Sequence, residues 1–100
     1  MIKVEESKYE VHTTKKFKQQ YRKILKQGKD TNKLINVVKK LANKETLDEI
    51  YKDHSLINNK YYNNCRECHI ESDWLLVYKY IEDKLILYVL ETGSHSDLFK

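Results

Sequence analysis

The stretch Trp74-Leu75-Leu76-Val77-Tyr78-Lys79-Tyr80-Ile81, then Glu82-Asp83, then Lys84-Leu85-Ile86-Leu87-Tyr88-Val89-Leu90, decides the fold. Two runs rich in aliphatic and aromatic residues, split by a short polar pair, read as an antiparallel hairpin. Both strands are apolar on both faces, so each face is expected to be engaged. Leu75, Val77 and Ile81 share one face, and Trp74, Leu76, Tyr78 and Tyr80 share the other. One face is expected to pack on helices, which leaves the aromatic-rich face for a partner or a site.

Working outward, Tyr61 to Ile70 reads as a further strand, and Asn43 to Lys60 as mostly loop with a helical turn around Leu47 to Tyr51. Before that come two amphipathic helices. Phe17, Tyr21, Ile24 and Leu25 form the stripe of the first, with Thr13 or Thr14 as its cap. Gly28 can stop that helix in the left-handed conformation. Leu34, Val37, Val38 and Leu41 form the second stripe, capped by Asp30 or Thr31. Tyr9 to His12 alternates as a short first strand. The order β-α-α-β-β-β predicts an α+β fold, a helical hairpin packed on a small, mainly antiparallel sheet.

One hundred residues make one domain, spanning 1–100. With no proline and two glycines, the chain has no Gly-rich phosphate loop and no polyproline tract. Its apolar runs are too short to span a bilayer, and residues 1–6 carry no apolar leader, so a cytoplasmic protein without membrane contact is expected. Net charge is +4, but unevenly spread: residues 15–44 hold eleven Lys/Arg against one acid, Asp30. Such a basic block is either the footprint of a nucleic-acid binder or a solvated helix face.

Cys65-Arg66-Glu67-Cys68-His69 spells the attachment pattern of a c-type haem. Haem attachment belongs to exported proteins, and no apolar envelope surrounds the motif. Zinc would need His54 and His69 beside the cysteines, at a spacing that matches no standard ligand pair. In a strand, Cys65 and His69 point one way and Cys68 and Ile70 the other, so Cys68 reads as a small core residue. No cofactor and no metal is expected. Three histidines lie near acids: His54 after Asp53, His69 before Asp73, and His95 before Asp97. Imidazoles titrate near neutrality, so such groups can take the ribose 2′-OH proton and protonate a 5′-oxygen leaving group. They can equally be exposed loop residues.

Three motifs together carry a resemblance. Tyr51-Lys52-Asp53-His54-Ser55-Leu56 is the first. Cys65-Arg66-Glu67-Cys68-His69-Ile70 with Asp73-Trp74-Leu75-Leu76-Val77-Tyr78-Lys79 is the second, and Thr92-Gly93-Ser94-His95-Ser96-Asp97-Leu98-Phe99 the third. They resemble the YafQ-type toxins of the RelE/ParE superfamily over essentially the whole chain. The resemblance implies a metal-independent endoribonuclease that cuts mRNA in the ribosomal A site. It also implies a cognate DinJ/RelB-like antitoxin, with operator DNA as a further partner of their complex. By the same resemblance His69 and Asp73 serve proton transfer, and His95 is the other acid/base or a phosphate contact. His54 supports the transition state, Phe99 stacks on a base, and Trp74 lies beside them on the substrate. Where typical members carry a phosphate-clamping arginine, this chain has Glu91. A carboxylate repels phosphate, so Arg66 or Lys79 is expected to supply the cation, unless Glu91 itself acts as a general base. The alternative is a weakly active or non-catalytic module that acts by binding antitoxin, ribosome or operator DNA.

Overall fold

The computed structural model describes residues 7–56 and 64–99. Strand β1 (Glu10–Thr13) leads into helices α1 (Lys15–Lys26) and α2 (Thr31–Ala42). Thr14 caps α1, its hydroxyl accepting from the Phe17 amide at 3.0 Å, and Asp30 caps α2 by accepting from Asn32 at 3.0 Å. Gly28 follows α1 with φ +74°, the left-handed stop the sequence predicts. Then come β2 (His54–Ser55), β3 (Arg66–Glu71), β4 (Trp74–Ile81), β5 (Ile86–Gly93) and a single turn of helix, α3 (His95–Leu98). The five strands lie in the order β1-β5-β4-β3-β2, with β1 parallel to β5 and the other pairs antiparallel.

The predicted α+β architecture is present, with two additions, β2 and α3. The expected hairpin turn is a single 3-10 turn over Glu82–Lys84, closed by Leu85 at φ +52°. The start of the expected strand at Tyr61 lies outside the described residues. The expected helical turn is the 3-10 turn Glu49–Tyr51.

One expectation is reversed. The helices pack on the aromatic face: Trp74, Leu76 and Tyr78, with Cys68, Ile70, Leu87 and Val89, meet Phe17, Tyr21, Ile24, Leu34, Val37, Val38 and Leu41. Large rings fill the gap between sheet and helices, where they bury the most apolar surface. Their polar tips are satisfied within that layer, since Trp74 Nε1 donates to Thr92 Oγ1 at 2.9 Å and the Tyr80 hydroxyl to the Leu41 carbonyl at 2.7 Å. Leu25, expected in the α1 stripe, stays 51% exposed. The aliphatic face is the one left for a site. Cys65, Leu75, Val77 and Leu98 form a small second cluster there, flanked by Leu56, Leu90 and Phe99.

Candidate active site

Strand alternation puts Glu67 and His69 on the aliphatic face of β3, in line with Cys65. The short strand β2 pairs His54 directly opposite Glu67. His54 Nδ1 meets the Lys52 carbonyl at 2.7 Å, and since a carbonyl only accepts, Nδ1 carries the proton. Its Nε2 therefore faces Glu67 Oε1, at 3.5 Å. The Nε2 of His69 lies 3.8 Å from the same oxygen. Glu67 is buried, so one carboxylate sits between two imidazoles in a water-poor spot.

His95 arrives from the other end of the sheet. Gly93, at φ +154°, lets the chain turn out of β5, and a Cβ there would stand 3.1 Å from Asp97 Cβ and Oδ2. That close approach builds the capping box of α3, in which Ser94 Oγ accepts from the Asp97 amide at 3.2 Å and Asp97 Oδ2 from the Ser94 amide at 3.1 Å. Lys23 of α1 holds Asp97 at 3.0 Å. The first residue of α3, His95, gives both its backbone N–H (3.0 Å) and its ring Nδ1 (2.8 Å) to Asp73 Oδ1. These two bonds, the backbone one foremost, hold the Asp73 carboxyl below the usual aspartate range. The His95 ring meets His69 edge-on, with centroids 5.7 Å apart, and Phe99 lies 6.5 Å beyond.

The fold thus gathers His54, His69, Asp73, His95 and Phe99 on one face. It also brings in Glu67, which was not singled out from the sequence. Period-two alternation from His69 was the signal that could have found it. Nitrogen and oxygen atoms of Glu67, His69 and His95 lie within 4.8 Å of one another, a set that could hold a metal ion.

Three other predicted residues are placed elsewhere. Trp74 is fully buried under the helices, so its ring has no surface for substrate. Arg66 projects to the helix side of the sheet, where it donates to Asp53 Oδ2 at 3.0 Å and to Ser55 Oγ at 2.9 Å. The Tyr78 hydroxyl shares that aspartate. Glu91 is buried at the irregularity where β5 shifts register against β4, and α1 secures it: Lys16 Nζ stands 3.1 Å away and Gln20 Nε2 3.3 Å. Lys79 does share the site's face, in alternation with Leu75 and Val77, and its charge acts on the Cys65 thiol, which burial pushes up. Cys68 lies on the opposite face with its thiol pushed up by burial, so the two sulfurs cannot serve one haem or metal.

The sequence matches the family model described as the bacterial toxin of type II toxin–antitoxin system, YafQ, over residues 9–100. The mRNA interferase toxin YafQ of Escherichia coli K12 is 40% identical over 75 residues, covering 74% of this chain and 77% of the relative. A metal-bound toxin from Helicobacter pylori superposes with a TM-score of 0.85 at 37% identity, covering 91% of this chain and 99% of its own. YafQ in the E. coli DinJ–YafQ complex gives 0.81 at 31% identity, covering 92% and 99%.

Proposed function

Because the chain belongs to the YafQ family of type II toxin–antitoxin toxins, we propose that it cuts mRNA on the ribosome by acid–base chemistry of its own side chains. The observation that carries the reading is the clamp of Asp73 on His95 beside the Glu67–His69 pair. With Nδ1–H donating to Asp73, the imidazolium form of His95 would carry its second proton on Nε2 and deliver it from there. It would protonate the 5′-oxygen as the phosphorus–oxygen bond breaks. The Glu67–His69 pair would take the 2′-OH proton as that oxygen attacks phosphorus. The products are a 2′,3′-cyclic phosphate, open to hydrolysis to a 3′-phosphate, and a 5′-hydroxyl. His54, seated on Glu67, would stabilise the charged phosphorane, and Lys79 would supply the cation on this face. Phe99 would stack on a base, a contact that tolerates many sequences.

Eleven basic residues in positions 15–44 would add sequence-independent attraction to ribosomal RNA. No helix among the described residues is long and apolar enough to cross a membrane, in keeping with work at a cytoplasmic ribosome. The DinJ–YafQ complex of E. coli supports a DinJ/RelB-like antitoxin as the neutralising partner.

The test is primer extension on an mRNA held on translating ribosomes. Discrete cuts by the wild type should fall by about 10²–10⁴ in His95→Ala, and a wild type that makes no cuts overturns the reading. A second arm addresses metal. A toxin from H. pylori is metal-bound and a mutant toxin from that organism is copper-bound, and Glu67, His69 and His95 suit a borderline cation such as Zn²⁺ or Cu²⁺. A cation held there would occupy the lone pairs that proton transfer needs. Chelator should therefore leave cutting intact, and added Zn²⁺ should suppress it; cutting that requires metal would replace side-chain chemistry with metal-assisted chemistry.

A further inference from the structure

Two cavities open on either side of Glu71 and Ser72, next to the candidate site. One, of about 440 Å³, runs toward α1 past Asp73, and its charged lining is Lys23 and Lys29 against Glu71, Asp73 and Asp97. The other, of about 420 Å³, runs toward the 3-10 turn and has Lys33 and Lys52 against Glu71 alone. His69 forms part of its wall, and Ile50, Tyr51 and Ile70 supply an apolar floor. Both sizes suit a small-molecule fragment. Only the second combines an excess of positive charge with apolar surface.

Ile50 is 75% exposed, the most exposed of the large hydrophobic residues among those described. Single exposed aliphatic residues are ordinary; this one lines a cavity that a site histidine walls. Its turn is held firmly. Asp48 Oδ1 accepts from the Ile50 amide at 3.1 Å, and Lys52 closes the turn at φ +49°. The Lys52 carbonyl takes the His54 bond described above, so the element that presents Ile50 also seats a site imidazole. Lys40 stands over the Tyr51 ring, 6.0 Å from its centroid, and adds positive charge behind the floor.

We propose that this cavity is a nucleotide subsite, taking the residue of a single-stranded RNA that flanks the cleaved bond. Its base lies on Ile50 and Tyr51, and its phosphate turns toward Lys52. The inference rests on the nuclease reading for the identity of the strand, and on the cavity's own charge and surface for the ligand class. Glu71 pairs with Lys33 at 2.8 Å, so Lys52 carries the excess charge, and an apolar floor beside that lysine fits a base joined to an anion. The neighbouring cavity, with acids in excess, does not.

The probe is a short fluorescent single-stranded oligonucleotide of 2′-deoxy sugars, which lacks the attacking hydroxyl and cannot be cut. Ile50→Ala and Lys52→Ala should each weaken its binding about five- to tenfold, and Ile50→Tyr should tighten it, since stacking on an aromatic ring is worth more than contact with an aliphatic chain. Gln27→Ala, in the other cavity, should bind as the wild type does. Ile50 is exposed, so folding is not at stake. Wild-type affinity in both alanine variants, loss in Gln27→Ala instead, or no binding by the wild type overturns the subsite. So does a result in which Ile50→Ala escapes the antitoxin yet holds the oligonucleotide normally, which would assign the cavity to the protein partner. Ribosomal cutting is scored in parallel. If the wild type does not cut, the nuclease reading fails while the titration still decides the subsite. If it cuts and Ile50→Ala keeps its KM, the subsite fails alone.

Discussion

The same strands build both faces of the sheet, and the two faces are closed by very different means. Two twelve-residue helices cover one, and the rings of Trp74, Tyr78 and Phe17 are shut in beneath them. A four-residue helix, with Phe99 and Leu56, covers only part of the other, and its centre holds Glu67, His69 and His95. Each face also has its own aspartate. Asp53, on the helix side, is shared by Arg66 and Tyr78, a cation and a hydroxyl that tie β2 to the sheet. Among the described residues Asp73 holds a solvent-exposed imidazole and the backbone amide of the same histidine. The two faces divide the labour: the covered face supplies stability, so the open face can keep polar groups poised and accessible.

Truncating the covered face should have the largest effect. Trp74→Ala would open a cavity under the helices and remove the bond that the Thr92 hydroxyl accepts, while that hydroxyl keeps its own bond to the Leu75 carbonyl, at a cost of about 3–5 kcal/mol in chemical denaturation. A much smaller loss would mean that the helix layer is not what holds the domain together.

Next in size is a pair of cations on opposite faces. Arg66→Ala should cost about 1–2 kcal/mol of stability, because it takes the guanidinium from half-buried Asp53. Cutting by the surviving folded protein should change little. Lys79→Ala should do the reverse, lowering cutting on ribosomes while the denaturation midpoint holds. If Arg66→Ala lost activity at unchanged stability, the helix-side assignment of that guanidinium would be wrong.

Much of this division was legible before any coordinates. The helices announced themselves through apolar stripes, right but for Leu25, and through cap candidates that include Thr14 and Asp30, since both signals are local. So did β4, whose bounds match the sequence expectation residue for residue. What was not legible is non-local. Strand β2 is two residues long and exists only because His54 and Ser55 find Glu67 and Arg66 across a gap in sequence. Helix α3 is too short to show a period. Hydrophobicity alone could not say which face the helices would choose; ring volume decided it. The site shows the same limit. Trp74 is expected at the site as the chain neighbour of Asp73, and Arg66 as a cation three residues before His69, yet residues an odd number of positions apart in a strand point to opposite faces. Glu67 is hard to see in the sequence for the converse reason: its relation to His69 runs over two residues.

The smallest effect should come from the open face's aspartate, and its sign is fixed by the bonds it accepts. Hydrogen bonds from His95 hold the Asp73 carboxyl below its ordinary value of 3.8 in the folded protein. Folding therefore gains from the ionised form at neutral pH, and that gain is complete above the unfolded-state value. It disappears as pH falls through the lower folded-state value. Asp73→Asn should consequently be slightly less stable than the wild type at neutral pH, and the two curves should converge in acid. Because Asp73 is solvent-exposed, screening keeps the difference small. Denaturation midpoints followed from neutral pH into the acid range would show the convergence. Curves that stay parallel would mean that the bonds to His95 do not persist in solution. The open face would then lack the clamp that distinguishes it, and His95 would have to be oriented by the bound RNA itself.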